Sequence, residues 1–144
     1  MSTRCHIAFV ADADQPLAYP SALIYRHSDG YPDTPHGVLA HLFPFLRDFD
    51  RSRGLTDTEY LSARCLCHLV VASGSSDHYL GYGISDSYHQ DIDFLYVVVG
   101  AERQLCVYER EFTPTTDDTH LIRIGFLAFR LDRRIDLSRL SFGP

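Results

Sequence analysis

An α+β fold, an antiparallel sheet of about five to six strands with a pair of helices packed on one face, follows from three features of this 144-residue sequence. Two segments between residues 34 and 73 carry apolar side chains at three- and four-residue steps, the period of an amphipathic helix. Two short apolar runs precede them. After residue 79 come runs rich in aromatic and β-branched residues, separated by turn residues, which read as strands. Strands, then helices, then strands is the order of an α+β domain.

The elements follow in chain order. His6 to Val10 and Ala22 to Tyr25 are the opening strands, the second stopped by the turn pair Asp29-Gly30. Thr34-Pro35 has the form of an N-cap and first helical residue. Val38, Leu39, Leu42, Phe43, Leu46 and Phe49 then mark one face of a helix ending near Gly54. Pro44 lies inside it and is expected to kink or divide it, because proline lacks the N–H that continues the ladder. Thr56 with Glu59 three residues later reads as a capping box, opening a second helix through Leu61, Leu66, Leu69 and Val70. Tyr79 to Ile84, Ile92 to Val99, Gln104 to Glu111 and Leu121 to Phe129 are the later strands, and Gly100–Arg103 is short enough to make a hairpin. Residues 1–130 are expected to form a single domain and residues 131–144 an arginine-bearing tail.

The composition is 45% apolar and 22% charged, with a net charge of −6 from 13 arginines and 19 acids. Lysine, asparagine and tryptophan are absent. The first two have AT-rich codons, so their absence reads as the trace of a GC-rich genome. No apolar run reaches the ~20 residues of a membrane-spanning helix, and no signal-peptide layout opens the chain, so a cytoplasmic location is expected. Four cysteines (Cys5, Cys65, Cys67, Cys106) are too sparse for a disulfide scaffold and read as reduced thiols. The charge is segregated: residues 73–120 carry nine acids and two arginines, net −7, and residues 121–144 five arginines and two acids, net +3. The acidic middle disfavours direct nucleic-acid binding. The opposite signs suit a basic protein partner or pairing between two copies in a homodimer.

Tyr25-Arg26-His27-Ser28-Asp29-Gly30-Tyr31-Pro32 is the densest polar and aromatic cluster. It resembles the Y-R-H-x-D-G-Y-P segment of small proteins of phages and bacterial mobile elements, a resemblance spanning roughly residues 22–110. Asp57-Thr58-Glu59-Tyr60, Gly81-Tyr82-Gly83-Ile84 and Tyr96-Val97-Val98 fit it too, whereas Ser28 stands where many of those proteins have tryptophan. The resemblance implies a mobile-element setting, with an anti-CRISPR or other anti-defence role as the expectation. The residues themselves allow two readings. Arg26, His27 and Asp29 could lock the turn through charge-assisted hydrogen bonds. Alternatively, Arg26, His27, Asp29 and Tyr31 could form a binding cluster, with His27 moving a proton and Asp29 orienting it.

No metal or cofactor is expected. In His89-Gln90-Asp91-Ile92-Asp93 alternate side chains of an extended chain stand about 6.6–6.8 Å apart, too far for three ligands of one ion. Cys65 and Cys67, two apart on a helix, point away from each other. Gly81-Tyr82-Gly83 has no following helix to complete a phosphate loop and reads as a bulge or a close approach of another backbone. The candidate surface is acidic and tyrosine-rich: Asp77, Tyr79, Tyr82, Asp86, Tyr88, Asp91 and Asp93. Tyrosine gives large contact area with a polar handle. The leading expectation is a non-enzymatic inhibitor of a defence complex acting by protein–protein binding. A nucleotide or signal-molecule sponge is the alternative, and a small hydrolase or transferase using His27 and Asp29 comes third.

Overall fold

The computed structural model describes residues 2–74 and 80–139. Nine elements follow one another: β1 (Cys5–Val10), β2 (Ala22–Arg26), α1 (Leu39–Arg53), α2 (Thr58–Ala72), β3 (Tyr82–Ile84), β4 (Phe94–Val99), β5 (Gln104–Arg110), β6 (Ile122–Ile124) and β7 (Leu127–Asp136). The class is α+β, as the sequence implies. The sheet differs in detail: it has seven strands in the order β3-β2-β1-β4-β5-β7-β6, and it is mixed. β1 lies parallel to β4, Cys5 beside Phe94 through Val10 beside Val99, while the other neighbouring pairs are antiparallel. A parallel neighbour needs a long crossover, and here the crossover contains β2, both helices and β3.

All six residues of β1 are buried, as a central strand covered on both faces requires. Cys5, Ile7 and Phe9 face one core with Ile24, Tyr82, Tyr96, Val98, Leu105 and Val107. Against it pack Leu42, Phe43 and Leu46 of α1 and Leu61, Cys65 and Leu69 of α2. The alternate residues Ala8 and Val10 join Leu95, Val97, Cys106, Leu127 and Phe129 in a second core on the helix-free face, where Leu17, Tyr88 and Ile92 from loops add cover. Cys5, Cys65 and Cys106 are buried thiols and Cys67 is exposed, all four free.

Several boundaries move, each for a local reason. Thr34 is not an N-cap: it has φ +73, residues 31–37 turn irregularly, and α1 begins at Leu39 with Val38 capping it. Pro44 lies within α1 without dividing it. The cap of α2 is Asp57, whose carboxylate accepts the Tyr60 N–H at 3.2 Å, one residue beyond the expected Thr56. The last expected strand is two, β6 and β7, joined through Gly125-Phe126, with Gly125 at φ +59 as such two-residue turns demand. β7 then continues to Asp136, so residues 131–136 belong to the sheet rather than to a tail.

Charged pairs tie these layers together with unequal strength. Asp50, in the last turn of α1, has a side chain only 4% exposed and accepts three bonds from Arg103 at 2.6–3.1 Å. That pair clamps the β4–β5 turn to the helix. Arg133 of β7 meets Asp33 at 2.8 Å, but the Asp33 side chain is 66% exposed. Asp50→Ala should therefore lower the unfolding free energy by about 2 kcal/mol, as loss of hydrogen bonds to a charged group does. Arg133→Ala should cost about 1 kcal/mol or less, because an exposed pair is screened. Urea unfolding followed by circular dichroism checks both, and equal losses would contradict the ranking.

Candidate functional site

The strand period of two divides the motif between the two faces of the sheet. Arg26 turns toward the helices, where it is buried, lies 5.4 Å over the Tyr82 ring and donates to the His36 carbonyl at 3.4 Å. Tyr25 turns the other way, and the His27 ring lies parallel to it with centroids 6.1 Å apart. Asp29, not Gly30, takes the left-handed backbone, at φ +54, and its carboxylate accepts the Tyr31 hydroxyl at 3.0 Å. Gly30 is needed for space. Its N–H donates to the Thr3 carbonyl at 2.9 Å, its own carbonyl accepts the buried Tyr96 hydroxyl at 2.7 Å, and a Cβ would come within 2.9 Å of the Arg4 and Cys5 backbone.

His6 organises the helix-free side. It is fully buried in β1, and its Nδ1 lies 3.1 Å from the Ile24 carbonyl. Its Nε2 accepts the His89 N–H at 2.9 Å. A carbonyl only accepts and a backbone N–H only donates, so these partners assign the proton to Nδ1 of a neutral ring. Burial pulls the imidazole down from its ordinary 6.5 to about 4, against the partial support of the Ile24 carbonyl. Tyr25, Tyr88 and His89 surround the ring at centroid distances of 5.1–5.4 Å.

Of the expected acidic and tyrosine surface, Asp77 and Tyr79 lie outside the described residues. Tyr82 is separated from the rest: it is buried on the helix face, where burial pushes its phenol up to about 12. The remaining four share the segment between β3 and β4. Tyr88 packs inward and donates to the Leu17 carbonyl at 2.7 Å, and burial raises its phenol. Asp91 meets Arg4 at 3.4 Å. Asp93 accepts the Arg4 N–H at 3.0 Å, and Asp86 is exposed.

Asp86 and Tyr88 line an open groove of about 470 Å³ with Tyr19, Gln90, Ile124, Phe126 and Leu127. Tyr19 is 77% and Phe126 97% exposed, the latter at the tip of the β6–β7 turn. Neither residue stood out in the sequence, although Gly125-Phe126 between two apolar runs was a usable turn signal. A second hollow carries Asp12, Glu102 and Arg134. Among the described residues no group of three potential metal ligands comes together, and no helix is long and apolar enough to cross a membrane. The chain matches no protein-family model, no curated protein and no solved structure.

Two measurements test this construction. Gly30→Ala should cost about 2 kcal/mol of stability, since the added methyl must displace backbone. Gly83→Ala, with open space around the new Cβ, should cost about 1 kcal/mol or less. Because His6 is harder to protonate folded than unfolded, its contribution is complete above the unfolded value of 6.5 and drains away as pH falls toward about 4. The loss should approach about 3 kcal/mol. Urea midpoints across that window should show it, and a His6→Gln variant should show a flatter profile. A wild-type curve as flat as the variant's would overturn the assignment.

Proposed function

We propose that the chain is an inhibitor of the anti-CRISPR-like kind, whose inhibition acts by protein binding rather than by catalysis, and that it blocks a bacterial defence complex by covering a basic protein surface. The observation that carries this reading is the groove on the helix-free face. Its apolar floor of Tyr88, Ile124 and Leu127 is flanked by the exposed rings of Tyr19 and Phe126 and by the Asp86 carboxylate. Exposed aromatics beside an apolar floor are the anchors from which protein interfaces draw most of their affinity. Asp86 on this groove favours a partner of opposite charge.

The alternatives find less support. The Arg26 guanidinium, which a sponge for phosphorylated ligands would need, is buried against Tyr82. A hydrolase built on His27 and Asp29 would need the Asp29 carboxylate that the Tyr31 hydroxyl engages.

The test is copurification with purified CRISPR effectors at moderate salt, together with phage plating on cells that express the chain. Wild type should form a stable complex and protect phage. Phe126→Ala and Asp86→Arg should keep the native circular dichroism spectrum, and the aromatic loss should cost about 2 kcal/mol of binding. Absence of any complex, with no protection of phage, overturns the reading.

A further inference from the structure

The same loop that supplies Asp86 and Tyr88 to the groove holds a second arrangement on its other flank. Ser85 Oγ lies 3.2 Å from His89 Nε2, and His89 Nδ1 lies 4.0 Å from Asp91 Oδ1. The order of atoms, hydroxyl to Nε2 and carboxylate to Nδ1, is that of a nucleophile, a base and its orienting acid. We propose that Ser85, His89 and Asp91 form an acyl-transfer site that hydrolyses activated esters, an activity separate from protein binding.

Each member is held from a different direction. The Ser85 N–H donates to the Leu23 carbonyl at 2.8 Å, fixing the nucleophile against β2. The His89 ring lies on Tyr25 with centroids 4.0 Å apart and planes within 19°, while its backbone N–H is tied to His6. Asp91 is drawn toward β1 by Arg4 at 3.4 Å. The charged and titratable groups facing His89 are thus Arg4 and His6 from the β1 side, Tyr25 from β2, and Asp91 from its own loop. The Asp91 carboxylate lies 4.0 Å from Nδ1, beyond direct hydrogen-bond reach, and its Oδ2 accepts the Tyr25 hydroxyl at 3.5 Å; the tautomer protonated at Nδ1 is the one that leaves Nε2 to accept the Ser85 hydroxyl.

The chemistry balances without any cofactor. Ser85 Oγ adds to the ester carbonyl carbon as its proton passes to His89 Nε2. The carbon–oxygen bond to the leaving group then breaks, and that oxygen takes the proton from Nε2, leaving acyl-Ser85. Water, deprotonated by the same nitrogen, adds to the acyl carbon; the bond from that carbon to Ser85 Oγ then breaks, Oγ takes the proton back from Nε2, and the carboxylic acid leaves. The His89 and Asp91 side chains are 44% and 51% exposed, so the site is open. Such a site suits esters whose leaving group departs with little stabilisation of the tetrahedral oxyanion, aryl acetates being the simplest.

The experiment uses the full chain with p-nitrophenyl acetate, and peptide mass mapping of the acetylated protein. The expected result is an acetyl adduct on Ser85 that is absent in Ser85→Ala, and a rate about a hundredfold lower in His89→Gln. Asp91 is a positioning residue. Asp91→Asn should lower kcat with little change in KM, because the His89 ring loses its orienting partner while ester binding is untouched. Circular dichroism and urea midpoints establish that each variant is folded. Adducts confined to Cys67 or to other side chains, or a rate unchanged in folded Ser85→Ala, would overturn the proposal.

Discussion

A neutral imidazole inside the central strand is the constraint from which the helix-free side is built. β1 is covered on both faces, and an unpaired polar group there would cost several kcal/mol. His6 avoids that cost only because both ring nitrogens are engaged, one by the Ile24 carbonyl of β2 and one by the His89 N–H. The second bond reaches out of the core into the β3–β4 loop. It fixes where Tyr88 enters the apolar floor and where the His89 ring meets Tyr25. The groove and the Ser85–His89 pair therefore lean on one partly buried hydrogen bond.

The charge segregation written in the sequence has a partly internal destination. Arg130 of β7 spans Glu111 and Asp118 at 3.3 and 3.1 Å, and Arg110 donates to the Gln90 and Ile92 carbonyls. Arg133 is taken by Asp33 and Asp132. These arginines of the second half are thus engaged within the chain, which weakens the electrostatic case for pairing between two copies. Asp86 on the groove rim keeps its charge facing outward. The sign that the sequence assigns to residues 73–120 survives folding at that rim, although Tyr82 leaves the set for the helix face.

What the sequence revealed and what it hid follow from the range of each signal. The two helices were legible because Leu39, Leu42, Phe43 and Leu46 repeat at the helical period within one segment. The β4–β5 hairpin was legible because its turn is four residues long. The parallel β1–β4 pairing was not, since nothing in Cys5–Val10 or Phe94–Val99 states which strand lies alongside; both are covered on both faces, as central strands are. The split of β6 from β7 was missed because Ile122 to Phe129 is apolar apart from Arg123, and only Gly125 marks the turn. Ser85, His89 and Asp91 fall four and two residues apart in irregular chain, where no period predicts a meeting. They converge because His6 and Tyr25 place the loop.

The same reasoning accounts for the Y-R-H-x-D-G-Y-P segment. Nearly every residue in it has a positional task. Arg26 fills the helix-side core over Tyr82, Asp29 takes the left-handed backbone and ties Tyr31, and Gly30 lets the loop touch the start of β1 while it accepts Tyr96. The Tyr31 and Pro32 carbonyls accept from Val38 and Leu39 at the entry to α1. A segment so occupied joins β1, β2 and α1, and its density of polar groups reflects the number of backbone groups it must satisfy there. Only Tyr25 and His27 turn to the opposite face, and there Tyr25 supports His89. The motif thus holds the platform against which the β3–β4 loop is set.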